Sequence, residues 1–333
     1  MTNRERFQAV LNLEKPDDRL PVIEWAGWWD QTIFHWREQG LPSELAWPDI
    51  GPHLGLDRHH QISYPTATAQ CPQPAFFGGG IMEDAQGYEK LLPYLYQDSL
   101  IDAQVEEFRR LKAGHARGDY PVWITLTGGF WFPRELFGIE NHLFSFYDHP
   151  DLYHRILSDL ANYQVRLLER VYEVLTPDFM TFAEDMSYNK GPMISEELFD
   201  TFLEPFYRKV IPVLHSHGTK VIMDSDGDIS RMIPWMQRVG IDGVLPLERQ
   251  AGVDVCALRE RYPDFLFMGA FDKMTMRRGV GDMRGEFERL LPAMRSGGFI
   301  PACDHQTPPD VPLDRYREYV AMLHEYAERA VKG

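Results

Sequence analysis

From about residue 120 onward the chain alternates short apolar runs with longer stretches of helical periodicity, and this rhythm constrains the fold more than any other feature. PVWITLTGG (121–129) and DFMTFAED (178–185) are rich in β-branched and aromatic residues, as strands covered on both faces require. KVIMDSDG, GVLPLE, FLFMGAFDK and GFIPACDH follow in turn. Between the runs lie amphipathic segments, such as 150–175 and Ser195 to about His217, with Gly218, Gly240 and Gly298 placed as helix terminators. Strand–helix repetition specifies a parallel sheet, because parallel neighbours need a crossover long enough to hold a helix. Six such units are countable; LPVIEW (20–25) supplies a first strand, and one more hidden in the weakly patterned region 55–100 completes eight. The expected fold is α/β: a single (β/α)8 TIM barrel covering 1–333, with an N-terminal extension. An open doubly wound sheet is the other arrangement the pattern allows, but no GxGxxG or Walker sequence follows any strand.

Charge narrows the function. Acidic residues outnumber basic ones by 50 to 34, a formal net charge of -16 that repels polyphosphate and anionic lipid, so neither nucleic acid nor a membrane is an expected partner. No apolar stretch approaches the ~20 residues that span a bilayer, and MTNRERFQAVLNLEKPDD is too charged for a secretory leader, so a cytoplasmic location is expected. Cys71, Cys256 and Cys303 are scattered, odd in number and free of any CxxC pair, which points to reduced thiols.

Polar residues are costly inside a buried strand, yet these strands end in them. Glu184 and Asp185 close one run, Asp224, Asp226 and Asp228 the next, and Glu248, then Asp272 with Lys273, then Asp304 with His305 close the others. In a barrel these ends form one mouth, where His305, Glu184, Asp224 and Glu248 are the candidate catalytic groups and Asp185, Asp272 and Lys273 candidate substrate contacts. Asp228 before ISRMI and Asp254 before VCALRE have the bland alternative of capping helices. Carboxylates crowded in a low-dielectric mouth need protons or a positive partner: Lys273, Arg134, a divalent metal or a cationic substrate. Asp224-x-Asp226, with His305 and Cys303, could hold a divalent ion such as zinc. Trp25, Trp28 and Trp29 after the first run, and Phe130, Trp131 and Phe132 after the second, could be core; they could equally line a pocket for a flat ring or cage an N-methylated cation. Gly128-Gly129 allows close backbone approach, to a ligand or within a turn.

MTNRERFQAVLNLEKPDDRLPV, EDMSYNKGPMISEELFDTFLEPFYRKVIPVLHSHGTKVIMDSDGDI, GIDGVLPLE, FMGAFDK and GGFIPACDHQTPPDVPLDRY together resemble the uroporphyrinogen decarboxylase superfamily over nearly the whole chain. The resemblance implies a (β/α)8 barrel with its site at the strand C-termini, and either decarboxylation or corrinoid-linked methyl transfer. True decarboxylases carry an M-R-Q-A-G-R stretch whose arginines hold substrate carboxylates; EWAGWWDQT stands there instead, while His305 falls at the position of the family's last-strand histidine. Methyl-transferring relatives hold zinc through an H-x-C and a last-strand cysteine; Asp224-x-Asp226 replaces the first and Cys303 lies at or near the second. The preferred reading is transfer of a methyl group between a small methylated substrate and a corrinoid on a separate protein. A lyase acting on a carboxylated ring is the alternative, and a non-catalytic small-ligand barrel the third possibility. By resemblance the chain is expected to form a homodimer.

Overall fold

A computed structural model describes residues 1–332. There are nine strands: β1 (His60–Ser63), β2 (Val122–Thr127), β3 (Phe179–Ala183), β4 (Ser187–Tyr188), β5 (Gly191–Pro192), β6 (Lys220–Asp224), β7 (Gly243–Leu245), β8 (Leu266–Phe271) and β9 (Phe299–Cys303). Seven of them form one curled parallel sheet in the order β1-β2-β3-β6-β7-β8-β9, and β4 with β5 makes a small antiparallel hairpin. The six strands expected from residue 120 onward are all present, with helices on the connections between them. The helix Pro150–Tyr172 shows why: Leu152, Ile156 and Leu160 recur at helical spacing on its buried face. No helix is long and apolar enough to cross a membrane among the described residues.

The strand hidden in 55–100 is β1, whose HQIS is half polar and therefore weakly patterned. The expected first strand at 20–25 is not paired into the sheet, and the eight-stranded closure is corrected to seven paired strands. Its backbone pairs only singly with other backbone, as where the Val22 carbonyl takes the Asp57 amide at 2.7 Å, and side chains take other groups. The Val22 amide donates to Asp57 Oδ2 at 2.9 Å, and Glu24 Oε2 takes the Cys303 amide at 3.0 Å, an amide a neighbouring strand would otherwise use. The segment thus bridges from the approach to β1 across to β9 without adding a ladder.

Register fixes which residues face inward. Trp123 lies beside Phe179 and Thr125 beside Thr181, then Thr181 beside Ile222 and Ala183 beside Asp224. On this inner face Gln61 donates to Thr125, which bonds Thr181. At the strand starts, Phe7 from the N-terminal helix Asn3–Leu11 stacks on Phe179 at 6.4 Å and covers the floor. Alternate residues face the helices: Phe271 packs on Phe287 and Tyr319.

Candidate active site at the strand C-termini

The register decides which polar ends reach the mouth. Ala183 is level with Asp224, and Asp224 with Leu245, so these three share the inner face. Glu184, one residue on, turns to the opposite side and is 1% exposed. There its carboxylate accepts the amides of Gly129 (2.8 Å), Phe130 (2.7 Å) and Trp131 (3.2 Å), and the Tyr207 hydroxyl. Burial pushes its pKa up to about 7, against these four donors. The close approach allowed by Gly128 is to this carboxylate: a Cβ there would run into the Glu184 carboxyl group. Glu184, expected in the mouth, is therefore an acceptor behind the sheet that fixes the turn after β2.

Asp185 follows with φ 46°, a left-handed backbone that aspartate tolerates better than most residues. Both the Glu184 and Asp185 amides reach the Asp224 carbonyl, at 2.9 and 3.3 Å, and the turn brings Asp185 Oδ1 to 3.3 Å from the Asp226 amide. Burial, then the neighbouring Asp226, raises the Asp185 pKa. Asp224 makes no side-chain hydrogen bond or ion pair to described residues; burial, then Asp185 and Asp226, holds it well above the ordinary carboxylate range.

Asp226, Glu248 and His305, from the ends of β6, β7 and β9, converge: one ligand atom from each lies within 4.8 Å of the others. His305 Nε2 is 3.5 Å from Asp226 Oδ2. A hydrogen bond to Asp226, opposed by burial, raises the imidazole pKa. Glu248 Oε2 accepts the Gly227 amide at 2.9 Å. Gly227 has φ 82°, and a Cβ there would strike the Tyr188 backbone. The β4–β5 hairpin is stitched to this loop: Ser187 donates to the Asp226 carbonyl, and the Asp228 amide donates to the Tyr188 carbonyl at 2.9 Å. The loop bearing Asp226 is thereby held from two sides.

Trp25 meets His305 edge-on at 6.0 Å and Trp29 stacks on it at 6.3 Å, so these two indoles flank the imidazole. Trp28 does not join them; it is buried against Trp36, Trp47 and Tyr316. Phe130 is likewise core, against His142 and Phe146. Trp131 lines a cavity with Arg134, whose charge reaches Asp185 of the mouth. The two aromatic clusters thus form no common cage.

Cys303 faces outward. Its neighbour Ala302 is level with Ala270 on the inner face, so Cys303 turns to the helices beside Glu24, where burial and that carboxylate raise its thiol well above the ordinary range. Of the candidate ligands Asp224, Asp226 and Cys303, only Asp226 lies in the cluster with Glu248 and His305, and Cys303 is turned away from it. Lys273 Nζ is committed to Asp304 (3.1 Å) and Gln250 (2.6 Å), and Asp272 accepts from Gln250, the Met274 amide and Arg278. The helix-capping alternative holds at Asp254, which accepts the Cys256 amide at the start of the helix Val255–Arg261; Asp228 accepts the Ser230 amide in a turn and caps no helix, the next one beginning at Ile233. Glu24, buried and raised to about 7 by desolvation, went unmarked in the sequence because it sits inside an apolar run with no local partner.

An inner-face acidic cluster with one imidazole at the strand ends defines a class of α/β proteins with the site at the C-terminal face of a parallel sheet. The sequence model of the family described as uroporphyrinogen decarboxylase (URO-D) matches residues 82–326, and the chain belongs to that family. Among solved structures, a methyltransferase from Methanosarcina mazei superposes with a TM-score of 0.66 at 16% identity, covering 98% of this chain and 99% of that one. A putative vitamin-B12 independent methionine synthase from Listeria monocytogenes gives a TM-score of 0.45 at 12% identity, covering 93% and 97%. At these identities the first likeness is one of fold. Among curated proteins, none matches the sequence.

Proposed function

We propose that this chain is an enzyme that transfers a methyl group between a small methylated substrate and a corrinoid carried on a separate protein, at the mouth formed by Asp226, Glu248 and His305. The observation that carries this reading is the convergence of those three side chains, with Trp25 and Trp29 packed on His305. Their donor set, two carboxylates and an imidazole, fits a divalent cation such as zinc. Bonds of about 2.0–2.2 Å would set neighbouring donors roughly 3–3.5 Å apart, and Asp226 and His305 already stand at 3.5 Å. Three protein ligands leave a coordination position free, as catalytic rather than structural sites do. When bound, the ion supplies Lewis acidity toward the heteroatom that carries the methyl group.

The chain's own residues supply the rest. Trp25 and Trp29 flank His305 and present apolar surface to a methyl group. Asp224, unpartnered on the inner face beside Asp185 and Asp226, is placed to hand a proton to the heteroatom as its bond to the methyl carbon breaks. The carbon bonds to the reduced cobalt of the second substrate, and the electron pair of the broken bond stays on the heteroatom.

A mouth bearing Asp185, Asp224, Asp226 and Glu248, with its nearby lysine already committed to Asp304, opposes a substrate rich in carboxylates. The family's lyase chemistry is accordingly the second reading, supported by family membership and by His305 as a proton donor. Mixing the protein with a cobalt(I) corrinoid and a panel of methylated amines and aryl ethers should give the absorbance of methylated cobalt, and His305→Ala should remove it. A flat trace across the panel, with CO2 released from aromatic acids instead, would replace methyl transfer by the lyase.

A further inference from the structure

Beside the mouth, a cavity of about 350 Å³ opens between the loop after β1 and the helix Trp131–Phe137. Its walls are mostly apolar, with three aromatic rings and three aliphatic side chains among them: Phe77, Trp131 and Phe132, and Ile81, Leu95 and Ile139. One strong cation enters it. The Arg134 guanidinium lies over the Trp131 ring, 4.5 Å from its centroid. Every other arginine that is not fully exposed makes a hydrogen bond or an ion pair within the described residues; Arg134 makes neither. Stacking uses the face of a guanidinium and leaves its in-plane N–H fork unspent, the geometry that receives a carboxylate through two parallel bonds.

We infer that this cavity is a binding site for a small aromatic monocarboxylate, its ring against Trp131 and Phe132 and its carboxylate on Arg134. Size sets the upper bound: about 150 Å³ of apolar cavity holds a benzene, so the space here takes one substituted ring and not a macrocycle. Charge sets the number of carboxylates, because Glu135 lines the same wall and opposes a second anion. The rim is suited to admit such a ligand. Phe77 is 98% exposed at the tip of a loop that runs from Pro72 and Pro74 into Gly78, Gly79 and Gly80, and Gly79 pairs with Gly138 across the cavity edge. This inference does not depend on the reaction proposed above, since its test reads binding alone.

Isothermal titration of the full chain with benzoate, benzamide, benzylamine and acetate separates ring from charge. Benzoate should bind one to one, with benzamide weaker by about tenfold or more for want of a charge-assisted pair, and benzylamine and acetate weaker still. Arg134→Gln should bring benzoate down to the level of benzamide while leaving benzamide unchanged, and Arg134→Lys should fall between. Ile139→Trp, which fills the space, should abolish both; unchanged thermal midpoints without ligand show that the variants fold. Failure of benzoate to bind, equal affinity for benzoate and benzamide, or a charge preference that survives Arg134→Gln but is lost in His305→Ala would overturn the proposal.

Discussion

Glu184 and Asp185 are consecutive acidic residues at the end of one strand, and the molecule uses them in opposite ways. Glu184 is sealed behind the sheet, where three amides and a tyrosine hydroxyl surround it. Asp185 turns into the mouth, within reach of the Asp226 loop. Cys303 and His305 repeat the contrast at the end of β9: the thiol packs outward beside Glu24, and the imidazole stands between two indoles above Asp226. Strand parity separates Glu184 from Asp185, whereas Cys303 and His305 share a parity and are parted by the bend at Asp304 and His305 after β9, so proximity in sequence says little about which polar group is structural and which chemical.

The largest expected effect lies on the structural side. Gly128→Ala drives a Cβ into the Glu184 carboxyl group and should cost at least about 3 kcal/mol in chemical denaturation, with no effect on metal affinity in the fraction that folds. Glu184→Ala orphans three buried amides and should cost about 3 kcal/mol for the same reason. A stability unchanged by either would place Glu184 outside the scaffold and break the contrast.

A smaller effect sharpens it. Burial raises Glu184 and Glu24 from an ordinary 4.5 to about 7, so the native state holds protons that the unfolded chain has released across that window. Their contribution to stability is therefore present below about pH 4.5 and lost as pH rises toward 7. Glu184→Gln removes one of these two titrations and should flatten that fall by on the order of 1–3 kcal/mol, read from urea midpoints across the range. Cys303→Ala should be smallest, about 1 kcal/mol of stability with methyl transfer intact.

Much of this was legible in the sequence. The six strands after residue 120 are read directly because parallel strands buried on both faces leave unmistakable apolar runs, and their polar ends mark the mouth. Asp226, Glu248 and His305 stand out for the same reason, as groups an apolar strand would not carry without cause. The partition between them and Glu184 or Cys303 was not legible, because it depends on register and on the left-handed turn at Asp185, which neighbouring strands impose. The segment 20–25 has strand composition, yet Asp57 and Glu24 take up amides that a ladder would use. The Arg134 cavity was hidden because one wall comes from the weakly patterned loop after β1.

Metal binding tests the central claim most directly. Equilibrium dialysis against zinc or cobalt(II), followed by elemental analysis, should find one ion per chain, lost in Asp226→Ala, Glu248→Ala and His305→Ala and retained in Cys303→Ala and Glu184→Gln. An ion held through Cys303 and indifferent to His305, or no ion at any concentration tried, would contradict the assignment of this mouth as a metal-assisted active site.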